Sequence, residues 1–116
     1  MRHLSKLILA CALSTGCATA VSQAQVDGTQ KAISNASETV GSQSGPAADR
    51  LADAKREFDS ATELSKAGRS EEARRMLARA EADAKLAHAL GNEGKTRGDL
   101  QAVTDQIQTL KTQLGK

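Results

Sequence analysis

From residue 73 to residue 98 one row of small side chains recurs in strict alternation of four and three. It runs Ala73, Leu77, Ala80, Ala84, Ala87, Gly91, Gly94 and Gly98. That spacing is the period of an α-helix and of nothing else. Because the row is almost all Ala and Gly, a neighbouring backbone can approach closely along it. A second row follows in a three-four alternation: Leu100, Val103, Ile107, Leu110 and Leu114. This is a heptad seam of large apolar residues. The phase is kept across the three glycines, which favours one continuous helix over 70–114. The competing reading is a hinge, since each glycine costs about 1 kcal/mol against Ala in a helix interior. Unbroken, the helix is about 67 Å long.

The residues before it read as shorter helices. Leu51, Ala54, Phe58, Ala61 and Ser65, with Ala47 and Leu64 beside them, form one stripe on a helix over 46–67. Pro46 suits its first position, where a missing N–H costs nothing. Gly68 ends it, and Ser70 opens the long helix with Glu71 and Glu72 in the first turn, where negative charge suits the dipole. A connection this short makes the two helices antiparallel neighbours. Val26, Ile33, Ala36 and Val40 mark a weaker helix over 27–40. Asp27 is its expected N-cap, Gln30 its capping-box partner and Gly41 its C-cap. The expected fold is all-α: an antiparallel helical hairpin or three-helix bundle (about 27–40, 46–67, 70–114) with a long C-terminal coiled-coil-like helix. Phe58 is the single aromatic residue in the chain, so the core is expected to be thin.

The first seventeen residues carry a different message. Arg2 and Lys6 make a basic start, residues 7–15 are uncharged and mostly apolar, and Gly16 precedes Cys17. The apolar run is too short to span a bilayer and has the size of a signal-peptide core. Its border resembles the bacterial lipobox. Cleavage between Gly16 and Cys17 is therefore expected, with Cys17 lipidated, so that the chain is tied to a membrane by lipid. Residues 1–16 are then a lipoprotein signal peptide, 17–26 a flexible tether and 27–116 the helical domain. Ala18 stands where an Asp would resemble an inner-membrane retention signal, which favours the outer membrane and its periplasmic face in a Gram-negative envelope. Ordinary secretion is the alternative, because Ala18-Thr19-Ala20 and Ser22-Gln23-Ala24 also fit a cleavage pattern.

Charge and site chemistry narrow the function. The chain has a formal charge of +2, but Arg2 and Lys6 supply that excess, so residues 17–116 are formally neutral. Nucleic-acid binding needs a sustained excess of Lys and Arg, so no such partner is expected. Beyond the expected cleavage site His88 is the only histidine and Cys17, the only cysteine, is expected to carry lipid, so no metal is expected. Glu57, Asp59 and Glu63 are the carboxylates one would test for acid–base work; on an Ala-rich exposed helix they should titrate normally. The glycines at 91, 94 and 98 follow no strand and are not a dinucleotide fingerprint. No enzyme, no cofactor and no small-molecule substrate are expected.

Three stretches carry a family resemblance: Leu51-Ala52-Asp53-Ala54-Lys55-Arg56-Glu57-Phe58, Ala67-Gly68-Arg69-Ser70-Glu71-Glu72-Ala73-Arg74-Arg75, and Ala80-Glu81-Ala82-Asp83-Ala84-Lys85-Leu86-Ala87. Together they resemble the helical repeat region of a bacterial envelope family, domain of unknown function 4398, in its stand-alone form without an OmpA-like domain. The resemblance covers roughly residues 25–115 and implies a Gram-negative lipoprotein. It implies no catalytic residues. The expected role is structural or protein-binding in the cell envelope. The expected partners are a membrane through the N-terminal lipid, and a second copy or another envelope protein along the seam Leu100, Val103, Ile107, Leu110 and Leu114. Lys116 adds a further alternative, an envelope tether like the murein lipoproteins, which are joined to peptidoglycan through a C-terminal lysine.

Overall fold

A computed structural model describes residues 20–115. Cys17, the expected signal peptide over 1–16 and Lys116 lie outside the described residues. Three helices follow in order: α1 (Gln23–Val40), α2 (Pro46–Lys66) and α3 (Ser70–Leu114). Each end has a local cause. Gly41 closes α1 with a positive φ of 53°, its N–H donating to the Ser37 carbonyl at 2.9 Å. Pro46 is the first residue of α2. At the other end of α2, Gly68 has a φ of 77°, and two bonds run back from Gly68 N–H to the Ser65 carbonyl and from Arg69 N–H to the Leu64 carbonyl. That pair of bonds is the Schellman arrangement, which turns the chain back while satisfying the last carbonyls of α2.

The three helices form a bundle that goes up, down and up. Gln25, early in α1, donates from Nε2 to the Arg74 carbonyl early in α3 at 3.2 Å. Gln43, just beyond α1, donates to the Gly91 carbonyl at 3.3 Å. So α1 runs parallel to α3. In α2, Arg50 pairs with Asp83 at 3.4 Å and Glu57 with Arg79 at 3.2 Å, which makes α2 antiparallel to α3. The core is the small-residue stripe meeting its counterparts: Ala84 and Ala87 against Ala36, Val40, Ala47, Leu51 and Ala54. Ala73, Leu77, Ala80 and Gly91 complete the buried face of α3. Phe58 is only half-buried and Ser65 is exposed, so the α2 stripe weakens towards its end.

One boundary differs from the sequence expectation. α1 begins at Gln23, not at Asp27, so residues 23–26 belong to the helix and not to a tether. Ser22 is the cap, its Oγ accepting from the Gln25 N–H at 3.2 Å. Gln23 also braces the first turn by donating to Asp27 Oδ1 at 2.8 Å, so Asp27 is spent inside the helix. The polar residues that weaken the α1 pattern are accommodated locally. Thr29, fully buried, donates its hydroxyl to the Gln25 carbonyl at 2.9 Å, and Ser37 does the same to Ile33 at 2.8 Å. A hydroxyl satisfied by the preceding turn can enter a core without an unmet bond.

Candidate functional site

The bundle ends at Gly91, but α3 does not. It continues unbroken through Gly94 and Gly98 to Leu114, a 45-residue helix. Every described residue from Asn92 onwards is exposed. The reason lies in the neighbours: α1 stops at Val40, beside Gly91, and α2 starts at Pro46, so no partner element runs alongside the last turns. Leu90 still packs against the core, whereas Leu86 is exposed.

This free stem carries the heptad seam. Leu100, Val103, Ile107, Leu110 and Leu114 are 64, 51, 48, 56 and 87 % exposed, high values for consecutive large apolar residues in a row. At 3.6 residues per turn, the seam lies about 140° around the helix from the stripe that faces α1 and α2. A partner on the seam would therefore meet α3 on the side away from the bundle. The stem is held as a helix by local bonds. Arg97 pairs with Glu93, Gln101 donates to Asp105 at 2.8 Å, and Thr104, Thr109 and Thr112 each donate to the carbonyl four residues back. Its composition is nonetheless poor for a lone helix: two glycines, four threonines, Val103 and Ile107.

The other sequence candidates are dispersed. His88 is exposed, 3.5 Å from the Asn92 amide, and no cluster of metal-binding side chains occurs among the described residues. No described helix is long and apolar enough to cross a membrane. Asp59 and Glu63 are exposed on α2. Glu57 behaves otherwise, and here the expectation of ordinary titration is corrected. Its side chain is only 14 % exposed, wedged between α2 and α3, with Oε2 buried and lacking a hydrogen-bond partner. Burial, and then the nearby Asp83 carboxylate, push its pKa above the usual carboxylate range; Arg79 opposes them only in part. The sequence did hold a signal for this. Glu57 falls three residues after Ala54 and four before Ala61, on the face those two bury. An acid–base group needs a substrate-sized recess beside it. The recess closest to Glu57, about 430 Å³ between Leu64, Glu72, Arg75, Met76 and Arg79, is lined by its partner Arg79 and not by Glu57 itself.

The comparison with known families is decisive on one point. The profile of the domain of unknown function DUF4398 matches residues 20–103, the whole of the bundle and the first turns of the stem. The chain belongs to the DUF4398 family. No curated protein and no solved structure matches it. For this DUF4398 chain the fold is thus all-α, with a three-helix bundle and a long third helix whose end stands free.

Proposed function

We propose that this DUF4398 protein is a lipid-anchored lipoprotein of the outer membrane, facing the periplasm, with a structural or protein-binding role and no catalytic step. The observation that carries the reading is the separation of the two ends. α1 runs parallel to α3, so the chain preceding Ser22 leaves the bundle at the end opposite the free stem. A lipid on Cys17 would hold the bundle near the membrane and present the seam at the far end of a helix about 67 Å long. The lipobox-like border at Gly16 and Cys17 and the resemblance to envelope lipoproteins supply the anchor.

Plain secretion is the alternative. Cleavage after Ala24 would remove Ser22, whose hydroxyl caps α1, together with the first two helical residues. Cleavage after Ala20 would leave the helix whole. The test is the mass of the mature N-terminus together with incorporation of labelled fatty acid. A lipidated Cys17 is expected, and Cys17→Ala should abolish the label and release the protein from the membrane fraction. An unmodified N-terminus after Ala20 or Ala24 would overturn the anchor.

A further inference from the structure

We propose that the stem of α3 pairs with the stem of a second copy of this chain, as a parallel, in-register two-stranded coiled coil over residues 100–114. This goes beyond the envelope reading and does not depend on the lipid. The seam is exposed, continuous and on the side of α3 turned away from its own bundle, so two copies can meet there without their bundles colliding.

The direction follows from the number of seam residues. In heptad terms Leu100, Ile107 and Leu114 occupy the first position, and Val103 and Leu110 the fourth. Antiparallel strands set each first-position residue against a fourth-position residue of the partner. Three of one kind and two of the other cannot all be matched, so either Leu100 or Leu114 is left over. Parallel strands set each residue against its own copy, and all five are covered. At the centre of the seam, Ile107 in the first position with Leu110 in the fourth is the combination that favours two strands, whereas Leu100 with Val103 at its start has the reverse order, which favours more.

The flanking charges permit the same arrangement. In a parallel pair, Asp99 faces Thr104 of the other copy and Gln106 faces Lys111, so no like charges meet. Antiparallel strands in the register that matches Leu100 with Leu110 instead bring Arg97 beside Lys111, twice. The lower limit of the contact is also marked. Glu93 falls in the first heptad position one turn pair below Leu100, and its carboxylate is held by its own Arg97. Two copies of Glu93 would repel at the centre of a coiled coil, so pairing stops above it. The contact is short, but the bundle has already nucleated the helix, which removes the main obstacle to a coiled coil of this length.

The test uses the full chain expressed in its own host with Leu110→Cys, followed by mild oxidation of intact cells and non-reducing electrophoresis. A disulfide dimer is expected, because fourth-position residues of parallel strands face each other. Asp105→Cys, on the outer side of the stem, should cross-link about tenfold less or lower, and Ile107→Asp added to Leu110→Cys should weaken pairing by at least about tenfold. Circular dichroism of the purified Ile107→Asp protein should show the helices intact. Three results would overturn the proposal: no dimer with Leu110→Cys, equal cross-linking by Asp105→Cys, or cross-linking only when Leu100→Cys and Leu110→Cys chains are mixed, the mark of antiparallel strands. Fatty-acid labelling of the same chains reads the anchor separately, so either idea can fail alone.

Discussion

Replacing Gly91 with alanine should destabilise the bundle, although alanine is the better helix former. A β-carbon at Gly91 would lie 3.1 Å from Thr39 Cγ2, 3.3 Å from Val40 Cγ2 and 3.4 Å from the Thr39 carbonyl carbon. None of these can move aside cheaply. Val40 is 2 % exposed, and the Thr39 hydroxyl is bonded to the Asn35 carbonyl at 3.0 Å. The third contact is backbone. Relief therefore requires the end of α1 to lift from α3, which also strains the bond from Gln43 to the Gly91 carbonyl. Helix propensity returns about 1 kcal/mol, and overpacking of a tight core costs about 1–3 kcal/mol. Gly98→Ala is the matched control, because a β-carbon there meets nothing within 4 Å. It keeps the propensity gain without the clash. The difference between the two variants should be about 1–3 kcal/mol, and each kcal/mol shifts the midpoint by about 4–8 °C in a domain of this size. Thermal unfolding followed by far-ultraviolet circular dichroism reads it. A Gly91→Ala protein that melts at or above Gly98→Ala would refute the close approach of α1 on which the bundle rests.

Two further outcomes follow from the core and from Glu57. Leu77, 2 % exposed, is the largest apolar residue on the buried face of α3, so Leu77→Ala should cost about 2–5 kcal/mol, enough to lower the denaturant midpoint sharply without changing the slope. Glu57 has its pKa raised on folding, so the folded chain binds more protons than the unfolded one. Stability should therefore fall as pH rises through the window from the ordinary carboxylate pKa to the raised one, and stay lower above it. Glu57→Gln should remove that fall and leave the protein at least as stable at neutral pH; Arg79 is exposed, and losing its pair costs little. Urea unfolding across that pH range checks the sign, and a Glu57→Gln protein that keeps the fall would move the cause to another group.

Much of this architecture was legible because helix signals are local. The row from Ala73 to Gly91 is the face that α3 buries, and Pro46, Gly41 and Gly68 stand where α2 begins and where α1 and α2 close. Family membership was readable from the stretches 51–58, 67–75 and 80–87. The start of α1 was not, because Ser22 and Asp27 are equally good caps as isolated residues. Ser22 prevails because the earlier turn gives Gln25 a carbonyl on α3 to bond.

Periodicity alone determined which residues share a face of α3. It could not determine which of those faces meets protein and which meets water. The stripe at 73–91 and the seam at 100–114 are both helical rows; they differ because α1 ends at Val40 and α2 begins at Pro46, leaving the later row without a neighbour. The same reasoning covers Glu57. Its place on the helix was set by the sequence, but its raised pKa was set by its burial between two helices and then by Asp83 on the other one. A helix needs only its own residues to form a row. Burial needs a second element at the same height, and that height is a property of the assembled bundle.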